Sequence, residues 1–174
     1  MVSKRPDKCY NYFMETVFES ERIRFVKFTE ELVDDYLAMV NDIENVARYI
    51  GERRTPYSMD EELEFIKDQK VNQPYTFSML EKDTGEFIGN AGFMNVNDGE
   101  AEFGIVITNA KQNAGYGSEA IRSLLEFGWN SIHLKRVYLE VYIDNARAIH
   151  LYEKCGFTEF KRTEKDIFME RYSQ

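Results

Sequence analysis

The sequence predicts an α+β fold, a mixed and mostly antiparallel sheet with helices on both faces. Three observations predict it. Short apolar segments recur between tight turns, which is the pattern of antiparallel hairpins. Other stretches carry apolar residues at helical spacing. One buried run, Phe103-Gly104-Ile105-Val106-Ile107, leads through a glycine turn and a helix into another strand, a crossover that supplies a parallel neighbour. The chain has 174 residues, enough for one domain with a proper core.

Residues 1–20 carry no clear pattern and read as an N-terminal extension to a single domain over 21–174. Ile23, Phe25, Val26 and Phe28 mark a first strand. Thr29 is placed to cap a helix running through Leu32, Tyr36, Val40 and Ile43. That helix breaks before Val46–Ile50, and Gly51 ends it. Thr55-Pro56-Tyr57 is a turn, and Ser58 with Glu61 forms a capping box for a helix whose apolar face holds Leu63, Phe65 and Ile66. Two strands, 75–80 and 86–93, flank the hairpin turn Asp83-Thr84-Gly85. Asn97-Asp98-Gly99 turns the chain into the strand 101–108. Ala120, Ile121, Leu124, Leu125, Gly128 and Ile132 then follow helical spacing into the strand 137–142. Asn145 caps a last helix and Gly156 ends it. Strands at 157–162 and 166–172 close the sheet as a pair.

The formal charge is −9, which argues against a nucleic-acid binder because such proteins present a basic face. It is compatible with solubility alone or with attraction of a cationic substrate. Glu30, Glu31, Asp34 and Asp35, and then Asp60, Glu61, Glu62 and Glu64, gather at helix starts, where carboxylates stabilise the dipole. No apolar stretch approaches membrane-spanning length, and the basic N-terminus has no apolar core behind it, so no membrane partner and no secretion signal is expected. Cys9 and Cys155 make no metal or disulfide framework. With no disulfide framework a reducing cytoplasm is the default compartment, and with His133 and His150 the only histidines no metal site is expected.

Chemistry enters at Gln112-Asn113-Ala114-Gly115-Tyr116-Gly117-Ser118. A strand, a glycine-containing turn and a helix start make a phosphate cradle. Glycine lets the main chain approach a ligand closely, and the first helical turn offers unpaired N–H groups and the positive end of the dipole. A pyrophosphate fits there. The segment Gly115–Ala120 also fits the dinucleotide fingerprint, with Glu140 near the expected ribose position. That reading fails on topology, because a dinucleotide fold needs several further strand–helix units and only 57 residues remain after the turn, Ser118 to Gln174.

The residues after the crossover decide between them. The pattern Q-x-x-G-x-G, a helix, a strand, and then N-x-x-A-x-x-x-Y-x-x-x-G-F from Asn145 to Phe157 resembles the acetyl-CoA signature of the GCN5-related N-acetyltransferase (GNAT) superfamily. Ala101-Glu102-Phe103-Gly104 is similar to the branch acting on ribosomal-protein N-termini and polyamines. The resemblance implies two strands that splay apart around acetyl-CoA. It implies that the backbone of Ile105, Val106 and Ile107 pairs with the pantetheine arm, and that Gln112, Asn113, Ala114, Gly115, Tyr116, Gly117 and Ser118 hold the pyrophosphate. Gln112 stands where many relatives carry arginine. Asn145 adds a pantetheine contact to its capping role, while Arg147 and Lys154 stand within reach of the CoA phosphates or are simply solvated.

The same resemblance makes Tyr152 the acid that protonates the departing thiolate and Glu102 the base, acting directly or through water. Most of an amine is ammonium at neutral pH, and only the neutral form attacks a carbonyl, so a base is required. The implied reaction is direct acetyl transfer from acetyl-CoA to a primary amine of a protein N-terminus, a polyamine or a small metabolite. Its tetrahedral oxyanion is stabilised by N–H groups of the Ile105–Ile107 strand. The alternative is a non-catalytic acyl-CoA sensor of the same fold. Exposed sheet edges leave a homodimer open.

Overall fold

The structure is a computed structural model describing residues 14–174. Eight strands form one sheet in the order β1-β2-β3-β4-β5-β6-β8-β7. They are β1 (Thr16–Glu19), β2 (Ile23–Val26), β3 (Tyr75–Glu81), β4 (Phe87–Asn97), β5 (Glu100–Ile107), β6 (Arg136–Tyr142), β7 (Thr158–Arg162) and β8 (Asp166–Tyr172). Among the described residues, four α-helices accompany them: α1 (Val33–Val40), α2 (Met59–Asn72), α3 (Tyr116–Ser131) and α4 (Ala146–Lys154). Among the described residues, only β5 and β6 pair in parallel, as the crossover through α3 requires.

Alternation along β2 and β3 sends side chains into two cores. Phe25, Phe77 and Met79 meet Ala120, Ile121 and Leu124 of α3. Their neighbours Val26 and Leu80 meet Tyr36 of α1 and Ile66 of α2 on the opposite face. Helices therefore cover both faces. Among the described residues, no helix is long and apolar enough to cross a membrane.

Four local expectations need correction. Thr16–Glu19, inside the stretch read as an extension, is a strand paired to β2. Phe18 is the reason: its ring stacks 4.2 Å from Phe25 and 4.7 Å from Phe127. Residues 1–13, with Cys9, lie outside the described residues. Thr29 caps a short 3-10 turn, Glu30–Leu32, ahead of α1. α1 stops at Val40, short of Ile43, because Asn41 turns its side chain to Tyr57, donating to its carbonyl at 3.0 Å and accepting from its N–H at 2.7 Å. The capping box of Ser58 and Glu61 is present, but α2 rotates differently from its apolar pattern. Phe65 is 44% exposed, whereas Glu62 is 3% exposed, one turn before fully buried Ile66.

Candidate active site

The parallel pair is short. Glu100, Ala101 and Glu102 face Arg136, Val137 and Tyr138, and pairing stops there. β5 continues beside β4 to Ile107, and β6 continues beside β8 to Tyr142. The two strands thus diverge, and the facing main-chain groups beyond Glu102 and Tyr138 are left for another partner. A cleft of about 790 Å³ occupies the gap and extends past α2. It is lined by the backbone stretch Phe103–Ile107, by the 112–118 turn, and by Asn145 and Tyr152 of the α4 segment.

At one end lies the cradle. Gly115 is the N-cap of α3 with φ 86°, Asn113 has φ 60°, and no side chain caps the helix. Such a turn, with its first N–H groups uncapped, suits a phosphate. Gly117 lets α4 pack closely: a Cβ there would stand 2.8 Å from a Leu151 methyl, which would have to shift. The side chain of Tyr116 is buried and its hydroxyl hydrogen-bonds Glu81, so only its backbone faces the turn. Gln112 is already engaged. Its amide donates to the Ile107 carbonyl at 2.9 Å and accepts from Arg147 at 2.6 Å, bracing the end of β5 against α4.

Arg22, just ahead of β2, holds this turn from outside. Its guanidinium donates to the Ala114 carbonyl at 3.0 Å and to Glu119 at 2.7 Å, and it lies 4.5 Å over the Tyr116 ring. Its backbone N–H and the Ser20 hydroxyl each reach Glu119 at 2.7 Å. These partners are 92 and 97 residues apart in sequence, so no local pattern reveals them. Arg22→Met keeps the stem and removes the fork. It is expected to weaken acetyl-CoA binding by roughly three- to tenfold through a looser cradle, with kcat little changed, as read by calorimetry and saturation kinetics.

Tyr152 sits where the strands part. Its ring meets Phe103 at 6.5 Å and Phe157 at 5.8 Å, both edge-on, and the residue is 7% exposed. Burial pushes its phenol upward, with the nearby Cys155 thiol adding to the rise, so it stays protonated. Among the described residues, nothing hydrogen-bonds its hydroxyl. Glu102, at the last paired position, accepts from Asn95 at 2.8 Å. Glu140 on β6 lines the same cleft. Burial, and then the charges of Asp166 and Glu102, raise its carboxyl. Glu140 is thus a second carboxylate beside the expected base, where the sequence offered it only as a ribose partner.

Asn145 is the N-cap, its side-chain oxygen accepting from the Ala148 N–H at 3.3 Å. Cys155 is buried and free, and burial raises its thiol, as expected of a packing residue. His150 lies on the cleft rim and His133 lies in the turn after α3. Among the described residues, no group of three side chains is arranged to hold a metal ion.

A sequence profile described as the acetyltransferase (GNAT) domain matches residues 22–158. The chain belongs to the GNAT acetyltransferase family. Spermidine N(1)-acetyltransferase of Vibrio cholerae serotype O1 is 27% identical over 137 residues, covering 77% of this chain and 78% of that protein. A GNAT-family acetyltransferase structure from Bacillus anthracis superposes with a TM-score of 0.79 at 19% identity, covering 88% of this chain and 96% of its own. Spermidine N-acetyltransferase from Vibrio cholerae, solved with CoA and spermine, superposes with a TM-score of 0.77 at 22% identity, covering 87% and 95%. This GNAT chain is an acetyl-CoA-dependent N-acetyltransferase, and its cradle and splayed strands fit that donor.

Proposed function

We propose that this GNAT enzyme transfers acetyl directly from acetyl-CoA to a primary amine of a polyamine, a small metabolite or a protein N-terminus. One observation carries the reading. The unpaired edge of β5 runs from an uncapped helix start, past the hydroxyl of a buried tyrosine, to a strand carboxylate, all within one cleft. N–H groups of Ile105 to Ile107 hold the pantetheine arm and polarise the thioester carbonyl. The turn from Asn113 to Ser118 holds the pyrophosphate, with Gln112 keeping it in register. Asn145 keeps its side-chain N–H₂ for the pantetheine while its oxygen caps α4.

Glu102, with Glu140 beside it, takes the proton from the acceptor ammonium directly or through water. The raised carboxyl of Glu140 assists that step. The neutral amine attacks the carbonyl, its nitrogen gives up a second proton to water, and Tyr152 donates to the sulfur as the C–S bond breaks. The phenol then recovers a proton from solvent. No covalent enzyme intermediate is needed, and no side chain is placed as a nucleophile. The spermidine enzymes among the relatives and the charge of −9 both favour a cationic acceptor.

Release of free CoA thiol from acetyl-CoA, measured against spermidine, spermine, basic N-terminal peptides and aminoglycosides, tests the reading. Amine-dependent release with at least one class is expected. Acetyl-CoA binding without any amine-dependent release would point to a sensor.

A further inference from the structure

We propose that Glu62 selects the acceptor, seating a second ammonium group of a diamine-type substrate in the α2 end of the cleft. This rests on the amine-acetylation reading above, and it adds a residue and a chemical requirement to it.

Glu62 belongs to the inward stripe of α2, one turn before Ile66, and lines the cleft. An apolar side chain would pack there at no electrostatic cost, so a carboxylate in that place calls for a reason. One of its oxygens is fully buried with no hydrogen-bond partner among the described residues. The groups around it are committed elsewhere. The Tyr36 hydroxyl lies 2.6 Å from Ser78 and accepts from the Thr29 N–H at 3.3 Å. The preceding carboxylate, Glu61, is held by Arg53 at 2.8 Å and by the Ser58 N–H at 2.8 Å.

A second orphan faces the same cleft. The side-chain oxygen of Asn90 on β4 is also buried without a partner. Strand register sets Asn90 between Ser78 on β3 and Val106 on β5. It therefore shares a face with the Ser78 hydroxyl that meets Tyr36. Both orphans are acceptors, so the missing group is a donor. A protonated amine supplies three N–H donors and the opposite charge, which another carboxylate or phosphate does not.

Among the described residues, this end of the cleft carries no cation. None of the cleft-lining residues between Phe28 and Thr76 is lysine or arginine. Phe28 and Phe65 form part of the wall, and aromatic faces attract ammonium groups. The acceptor's reacting amine belongs at Glu102 and Tyr152, so the group at Glu62 is its second one.

Calorimetry of a homologous series of α,ω-diamines and their matched monoamines decides this, on wild type and on Glu62→Gln. One diamine length is expected to bind wild type at least about tenfold more tightly than its monoamine, the scale of a charged hydrogen bond. Glu62→Gln is expected to erase that preference with acetyl-CoA affinity retained, and Glu62→Asp to shift it toward a longer diamine. Equal affinities in wild type, or a preference that survives in Glu62→Gln, would overturn the assignment. The wild-type comparison stands even where a variant does not fold. Thiol release on the same compounds separates the two readings. A diamine preference in binding without release from any amine sinks amine acetylation and keeps the Glu62 site. Release without a diamine preference does the reverse.

Discussion

Replacing Tyr152 with phenylalanine is expected to lower kcat by roughly 10²–10⁴-fold, the usual worth of a positioned general acid. The substitution removes one oxygen and nothing else. The ring contacts to Phe103 and Phe157 remain, so fold and acetyl-CoA affinity should hold. Stability should hold or rise slightly, because the hydroxyl has no hydrogen-bond partner among the described residues to lose. Burial also raises the phenol above its ordinary value, so Tyr152 does not ionise across the working pH range. Any alkaline fall in the wild-type rate must then come from another group. The measurement is single-turnover thiol release together with a pH profile. A rate in Tyr152→Phe equal to wild type across that range would remove Tyr152 from the mechanism. A deep loss in kcat at constant acetyl-CoA affinity would place the tyrosine at the breaking bond.

The glycine turn and the capped α4 were legible in the sequence because their signals are local. Gly115 needs a left-handed backbone, Asn145 caps its own helix, and Tyr152 sits at a fixed helical distance from that cap. Spacing alone records such constraints. The α2 end of the cleft was not legible, because its geometry depends on packing between distant segments. Glu62 looked like one of several carboxylates stabilising a helix start. Only the seating of α2 against Tyr36 and Leu80 shows that it points inward while Phe65 points to the cleft. Arg22 was hidden for the same reason, its partners lying across the sheet in the 114–119 segment. β1 escaped notice because four residues are too short for a periodic signal, and its stacking partner Phe127 comes from α3.

Glu62 also leaves a signature in folding that needs no substrate. Burial raises its carboxyl from 4.5 to about 6, and no neighbouring charge offsets the rise. The folded state therefore binds this proton more tightly than the unfolded chain does. At pH 4 the group is mostly protonated in both states and contributes little difference. As pH climbs through the interval between 4.5 and about 6, the unfolded chain ionises first and the native state loses stability. Above that interval the loss is complete at about 2 kcal/mol, at 1.36 kcal/mol per pKa unit. Glutamine does not titrate. The stability difference between Glu62→Gln and wild type should hence be flat near pH 4 and then grow by about 2 kcal/mol in favour of glutamine by pH 8. Urea unfolding at the two pH values reads this directly, and parallel pH curves for the two proteins would show that Glu62 is not desolvated. A chain that keeps such a cost on the wall of its active cleft gives up stability for binding, the usual exchange at functional sites. A diamine that pairs with the carboxylate should restore the lost stability in wild type at pH 8 and leave Glu62→Gln unmoved.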